Sequence, residues 1–398
     1  MSMPESTPLN KQDYNNSMRL ESYDLAKFAA QLYELNGKII WDALCDSDYK
    51  NAKRVIAAGC GDSYCAAWAA QEAFRTLTGV NMHGTSAIEV PRCYDSRDFE
   101  DTLFFGISSR GRTSRVIEAA MRVNALGKNS KTVAIVNFKV KDSRLEKECT
   151  DSIHVGMPPF DCGEYTEHAP CQRSYFSTMF TMMLLAVRMG EARGAYSHEQ
   201  AEAYIREMIA YPARFTKELL DPMDDRMWAL ACKLSSYTQY EVVGTPTDAP
   251  NVWFMAAKVV EAFGGIATYE NAENWLVLNH KAKQVVQVLI ADKDDPELPV
   301  ALEAAKEMVA SCRPTIVITD AEETLFPAGA EVFVIPTSEL HWVKPLMRYC
   351  PIGLLLGYVA KLRGASFYRY GGENGNYIHN LCERLGDSIA EQPLRLVK

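Results

Sequence analysis

Residues 103–114 read Leu-Phe-Phe-Gly-Ile-Ser-Ser-Arg-Gly-Arg-Thr-Ser, and the architecture of the chain can be predicted outward from them. A short apolar run ends at Ile107, a hydroxyl-rich turn follows, and apolar residues then recur at helical spacing up to Gly127. This pattern predicts a buried strand, a tight turn and a helix. Because a helix N-terminus carries unpaired amide donors and a partial positive charge, the turn is a candidate phosphate site. An ordinary strand-to-helix turn with a capping hydroxyl and solvated arginines would give the same pattern.

A second turn of this kind lies earlier in the chain. Gly59-Cys60-Gly61-Asp62-Ser63-Tyr64 follows a short strand predicted over residues 54–58 and precedes an alanine-rich helix over residues 66–77. Its glycines allow close approach of a ligand to the backbone, but the third glycine of the dinucleotide fingerprint is missing, and we expect no cofactor. The two turns together supply the candidate phosphate-binding residues, namely Gly61, Ser63, Ser108, Ser109, Arg110, Gly111 and Thr113.

Composition excludes several classes of protein. The 398 residues allow two or three domains, and a net charge of −9 argues against a nucleic-acid partner. No apolar run reaches membrane-spanning length, and the N-terminus lacks the apolar core of a signal peptide, so we expect a cytoplasmic protein. Cys162, His168 and Cys171 lie close together, but their spacing fits no standard zinc pattern, and we expect no metal.

Strands and helices alternate along the first half of the chain. After a mobile arm of about 20 residues and a helical segment over residues 20–44, with a possible break near Gly37, further strands are predicted near residues 81–83, 131–137 and 151–155. A long polar loop and an apolar helix over residues 174–188 follow. Such alternation indicates βαβ units and a mostly parallel sheet covered on both faces.

The second half repeats this order, which implies an internal duplication. We therefore predict an α/β fold of two tandem flavodoxin-like domains. The expected division is an N-terminal arm and helix (1–44), a first domain (45–197), a helical connector (198–236) with breaks at its prolines, a second domain (237–385) and a C-terminal tail (386–398). Where the first half has its hydroxyl-rich turn, the second has the acidic residues 291–295, so we expect only the first half to bind a phosphate.

Both turns resemble those of sugar isomerase (SIS) domains. Residues 59–64 look like the Gly-Cys-Gly-Thr-Ser-Tyr turn of these domains, and residues 108–113 look like their Ser-Gln-Ser-Gly-Glu-Thr phosphate loop, with Arg110 in place of a serine and Arg112 in place of a glutamate. Over roughly residues 45–385 the tandem arrangement is similar to the isomerase half of glucosamine-fructose-6-phosphate aminotransferase and to fructosamine-6-phosphate deglycases. The resemblance implies a phosphorylated sugar as the ligand.

The resemblance also implies catalytic residues. Lys258-Val-Val-Glu261 matches the family's Lys-x-x-Glu helix, whose glutamate moves a proton between adjacent sugar carbons, although residues at this spacing can also form a plain surface pair. His280 is the nearest candidate for the family's ring-opening histidine, and Glu273 could take part of the acid–base work. His379 stands closest to the place of the lysine that forms an imine in the aminotransferases.

A histidine cannot form that imine, and we find no glutaminase domain to supply ammonia. Both points favour a substrate that already carries nitrogen, an amino-sugar phosphate or a phosphorylated fructosamine, processed by a deglycase, deaminase or isomerase. The alternatives are a regulatory module that binds a sugar phosphate without catalysis, and a structural pair of domains with a degenerate site. We also expect a homodimer or larger even oligomer, because the helices at 174–188 and 345–362 carry more apolar surface than one sheet face needs. We expect no membrane partner.

Overall fold

The computed structural model describes residues 9–165, 169–278, 284–365 and 367. Two helices precede the first sheet and a long helix follows it. The elements of this half are α1 (Ser17–Trp41), α2 (Asp46–Asn51), β1 (Arg54–Gly59), α3 (Asp62–Ala69), α4 (Gln71–Thr78), β2 (Met82–Ser86), α5 (Glu89–Cys93), β3 (Thr102–Ile107), α6 (Ser114–Leu126), β4 (Lys131–Asn137), α7 (Arg144–Glu148), β5 (Asp151–Val155) and α8 (Gln172–Ala192).

Two helices connect this half to a second sheet. The elements from there on are α9 (His198–Ala213), α10 (Lys217–Leu234), β6 (Gln239–Gly244), α11 (Ala249–Phe263), β7 (Ile266–Asn271), α12 (Ala272–Leu278), β8 (Val285–Ala291), α13 (Leu298–Ala310), β9 (Thr315–Thr319), β10 (Glu331–Val334) and α14 (Cys350–Leu362).

Both sheets are parallel and share one topology. The strand orders are β2-β1-β3-β4-β5 and β10-β9-β8-β6-β7. If the second sheet is viewed from its other edge and its strands are counted from β6, both orders are 2-1-3-4-5. This is the flavodoxin-like arrangement, in which the strand order reverses between the first and third strands. The α/β fold and the internal duplication predicted from the sequence are confirmed. One sheet lies within residues 45–197 and the other within 237–385, while the predicted domain boundaries stay predictions.

The central strands and the two apolar helices form the core. Every residue of β3 and β8 is buried, as expected of strands covered on both faces. Helices α8 and α14 are buried almost all round and pack against α1, α4, α10 and α11 of the same chain. The apolar surface of α8 and α14 is therefore used inside the chain, and the reason given above for an oligomer was wrong.

Three expectations about local structure are corrected. The predicted arm does not extend to residue 20, because a 3-10 turn forms at Lys11–Tyr14 and α1 begins at Ser17. The Asn16 side chain caps α1 by accepting a hydrogen bond from the Arg19 amide at 2.9 Å. Helix α1 continues unbroken through Gly37. Pro222 lies inside α10 rather than at a break. Within the described ranges, no helix has both the length and the apolar character needed to cross a membrane.

Candidate functional site

The two predicted turns meet at one cavity, at the carboxyl ends of β1 and β3. This is the point where the strand order reverses, and open α/β sheets bind their ligands there. The cavity measures about 160 Å³, and its wall includes Asp62 and Ser63 from the first turn, Ser109 from the second, Asn137 at the end of β4 and Ser174 of α8. Its size suits a phosphate and part of a sugar.

Glycines shape the first turn. Gly61 has a φ of +55°, a left-handed conformation that favours glycine. A Cβ at Gly59 would lie 2.7 Å from the Ser63 backbone, so a side chain there would displace the start of α3. The two glycines thus bring Ser63, the second residue of α3, against the end of β1.

The second turn is held by its own hydrogen bonds. The Ser108 side chain is buried, and its hydroxyl lies 2.9 Å from the Thr113 hydroxyl. The Gly111 amide, in a left-handed conformation, donates to the Ser108 carbonyl at 2.8 Å. Thr113 is the N-cap of α6 but makes no side-chain bond to that helix. Because two paired hydroxyls share only one of their two hydrogens, the pair can still donate one hydrogen bond to a ligand.

The positive charge near this turn comes from exposed arginines. Arg110 and Arg112 are exposed, as is Ser109, whose carbonyl accepts from the Asn137 amide at 3.1 Å. Arg115 forms an ion pair with the buried Glu118. Contact of Arg110 or Arg112 with an anion stays a prediction.

A lysine from the second half reaches the first turn. The Lys258 side chain on α11 is fully buried, and its Nζ donates to both carboxylate oxygens of Asp62 at 2.9 Å and to Glu261 Oε2 at 2.5 Å. The same Nζ lies 4.5 Å from the centroid of the Phe254 ring. Lys258 and Glu261 are therefore not a solvated surface pair, since Lys258 connects Glu261 to a residue that lines the cavity.

Asp62 is the site residue that sequence reasoning missed. Its contact with Lys258 joins positions 196 residues apart, which no local pattern reveals. The available signal was the resemblance itself, because Asp62 stands where the quoted SIS turn has threonine.

Of the remaining candidate catalytic residues the structure describes only Glu273, which does not line the cavity. Glu273 is exposed on α12. The nearby Glu270 accepts hydrogen bonds from Asn271 and Asn274, which are local contacts. His280 and His379 lie outside the described residues, as does His168 of the rejected zinc cluster. The identity of a second acid or base stays a prediction.

The corresponding place in the second half is closed by ion pairs. Lys344 Nζ lies 2.7–2.8 Å from the carboxylates of Asp292, Asp294 and Asp320, and Arg348 pairs with Asp248 and Asp292. Burial opposes the charge of Asp292, but Arg348 and Lys344 still hold the pKa of that carboxyl well below its usual range. The three aspartates around Lys344 are close enough to surround a metal ion, but the lysine ammonium lies among them.

A cavity of about 440 Å³ adjoins this network. Its wall includes Asp292, Asp294 and Asp295, and the last of these accepts hydrogen bonds from Thr245 and Thr247. The same wall includes Arg75 and Arg348, so the expectation that a phosphate binds to the first half and not to the second stays a prediction.

Comparison with known proteins gives one family and a set of remote relatives. Residues 48–188 match the SIS domain. The isomerizing glutamine–fructose-6-phosphate aminotransferase of Thermus thermophilus is 25% identical over 331 residues, which cover 80% of this chain and 50% of that protein. Isoform 2 of the same enzyme from Mus musculus is 24% identical over 328 residues, covering 80% of this chain and 45% of that protein. The chain thus spans about half the length of the curated relatives it matches.

Solved structures give the same picture of the fold. The C-terminal domain of glucosamine-fructose-6-phosphate aminotransferase from Francisella tularensis superposes with a TM-score of 0.71 at 17% identity, covering 90% of this chain and 99% of that one. Glucosamine-6-phosphate deaminase from Thermotoga maritima superposes with a TM-score of 0.59 at 18% identity, covering 88% and 96%. At these identities the likeness shows a shared fold.

Proposed function

Since the chain carries a SIS domain and is homologous to the isomerase domain of glucosamine-fructose-6-phosphate aminotransferase, we propose that it is a phosphosugar-processing enzyme. Its substrate is an amino-sugar phosphate or a phosphorylated fructosamine, and its reaction is a 1,2-proton shift. The observation that carries the proposal is the buried Lys258, which contacts both the candidate base Glu261 and Asp62 of the phosphate cavity. The relatives named above act on fructose 6-phosphate or glucosamine 6-phosphate, which is consistent with this class of substrate.

In this proposal the first half binds the phosphate group. Ser63 and Ser109 line the cavity, the Ser108–Thr113 pair can donate one hydrogen bond, and α6 begins at the turn with its amide groups. Each charge-assisted hydrogen bond contributes about 1.5–3 kcal/mol. Arg110 and Arg112 are exposed on the second turn and add positive charge there.

The second half supplies the base. A carboxylate at Glu261 removes a proton from the carbon next to a carbonyl or imine and returns it to the neighbouring carbon. A substrate that carries its own nitrogen forms the imine itself, so this step needs no lysine nucleophile. Lys258 fixes the orientation of Glu261 through the 2.5 Å hydrogen bond.

The test is a screen of glucosamine 6-phosphate and phosphorylated fructosamines for released amine and aldose phosphate, with the wild type and Glu261→Gln. We expect the variant to keep its affinity for the sugar phosphate and to lose about a hundred- to ten-thousandfold in rate, because the amide keeps the shape and removes the base. Glu303→Gln, at an exposed position on α13, is the matched control. Glu273→Gln in the same assay shows whether that carboxylate shares the work.

One outcome would favour the regulatory alternative. If the wild type and Glu261→Gln bind the sugar phosphates equally and neither releases product from any of them, the chain is a binding module and the enzymatic proposal is wrong.

A further inference from the structure

We propose that Asp62 is a positioning residue that holds the Lys258 ammonium on Glu261 and away from the substrate phosphate. The inference rests on the proposed function. Asp62 is the first residue of α3, lines the candidate phosphate cavity and binds Lys258 with both carboxylate oxygens. It thus lies between the part of the site that binds phosphate and the part that moves the proton.

The Lys258 ammonium donates hydrogen bonds to both carboxylates of this cluster. Its Nζ lies 2.9 Å from each Asp62 oxygen and 2.5 Å from Glu261 Oε2. The Lys258 side chain is fully buried, while the side chains of Asp62 and Glu261 are 24% and 32% exposed. The two carboxylates are therefore the part of this cluster that a substrate can reach, and the ammonium lies behind them.

This arrangement has a specific electrostatic consequence. Asp62 places a negative charge at the wall of a cavity that is proposed to take a phosphate. The Asp62 charge repels the phosphate, and it also prevents Lys258 from turning toward it. Asp62 therefore weakens phosphate binding and in return keeps the ammonium where it orients the base. A threonine, which the resembled motif has at this position, carries no charge, so it neither repels the phosphate nor forms an ion pair with the ammonium.

A purely structural role is the competing explanation. A buried lysine needs a partner, and the Asp62–Lys258 pair joins α3 of the first half to α11 of the second. If Asp62 served only to join the two helices, removal of its charge would lower stability, affinity and turnover together. The positioning role instead predicts opposite changes in affinity and turnover.

The experiment uses Asp62→Asn and Asp62→Thr in the full chain. We measure kcat with the substrate found in the screen, and the affinity for glucosamine 6-phosphate by calorimetry. We expect kcat to fall about ten- to a hundredfold, because the base loses its fixed orientation. We expect the affinity to rise severalfold, because a negative charge leaves the cavity and the Lys258 ammonium is no longer held away from the phosphate. Asp62→Glu, which restores the charge, should recover part of both values. Asp101→Asn is the control, because Asp101 lies just before β3 at the opposite end of the same sheet and its ion pair with Lys53 is exposed.

Either of two results with Asp62→Asn overturns the inference. One is a kcat that does not change in Asp62→Asn, and the other is an affinity that stays the same or falls. Adding Lys258→Met to Asp62→Asn should reduce the gain in affinity, since part of the gain depends on the released ammonium, and a gain as large as that of Asp62→Asn alone also overturns the inference. If the wild type turns over none of the substrates, the proposed function fails, and the affinity measurements alone decide the role of Asp62.

Discussion

Glu21 shows how a single buried carboxylate connects the N-terminal helix to the candidate site. Its side chain accepts hydrogen bonds from the backbone amides of Gln172 at 2.6 Å and Arg173 at 3.2 Å, at the first turn of α8. Ser174, the next residue, lines the phosphate cavity. Burial raises the pKa of Glu21 to about 7, although these amides and the Arg173 charge oppose the shift.

This pKa predicts the direction of a pH effect. The native state binds a proton to Glu21 more tightly than the unfolded chain does, so the contribution of Glu21 to the free energy of unfolding is fully present below about pH 4.5 and lost as the pH rises to about 7. The shift corresponds to about 3 kcal/mol at most. In Glu21→Gln this part of the pH dependence should vanish, and urea unfolding at pH 5 and pH 7.5 measures it. Glu34→Gln, exposed on the same helix, is the control; equal pH dependence in wild type and Glu21→Gln would contradict the prediction.

Individual site residues could be predicted only where local backbone chemistry required them. Gly61 and Gly111 adopt the left-handed conformations that their turns require, and the motifs that contain them lie at the strand ends beside the cavity. Their role in binding a phosphate stays a prediction. The contact between Asp62 and Lys258 could not be predicted in this way, because it depends on how α3 and α11 pack.

At the level of elements, burial decided which strands could be predicted. β3, β4 and β8 are continuous apolar runs because both faces of their sheets are covered. β7 lies at the edge of its sheet, and all its side chains are exposed or half-buried, so its sequence has no apolar run that would predict a strand. An apolar run therefore indicates the inner strands of a sheet but can fail for an edge strand.

Lys344, in the segment before α14, forms ion pairs at the ends of two strands of the second sheet, and their contribution to stability can be measured. Lys344 Nζ contacts Asp292, Asp294 and Asp320, which follow β8 and β9. Lys344→Met leaves these carboxylates without that partner, and breaking a buried ion pair from one side costs about 3–5 kcal/mol. We expect a loss of this size in urea unfolding. Lys293→Met, exposed between Asp292 and Asp294, is the matched control and should stay within about 0.5 kcal/mol of the wild type. A loss no larger than that of the control would show that the network does not stabilise the fold.

At the scale of the whole molecule, the duplication follows from repeated patterns, but the arrangement of the halves does not. The pattern predicted two similar sheets, and both have the same strand order. It did not predict that α8 and α14 would lie in a single core together with α1 and α11. Their apolar character was visible in the sequence, but the partner that each would cover depends on contacts between residues far apart in the chain.

An even oligomer stays a prediction, and the structure offers a different surface for it. Five of the exposed large apolar side chains lie within residues 260–278, on and around the edge strand β7: Val260 (48% exposed), Ile266 (65%), Tyr269 (50%), Val277 (79%) and Leu278 (68%). Edge strands and exposed apolar clusters are places where chains associate. In a two-fold symmetric dimer both subunits use the same surface, so one substitution places a charge in the interface from each subunit.

Val277→Glu should therefore convert the assembly to monomers, and sedimentation at micromolar concentration measures this directly. Val334→Glu provides the comparison, because Val334 is 41% exposed on β10, the opposite edge strand of the same sheet. The Val334 variant should retain the wild-type mass if association uses the β7 edge. Dissociation by Val334→Glu but not by Val277→Glu would place the interface at the β10 edge instead. A wild type that sediments as a monomer would refute the oligomer itself.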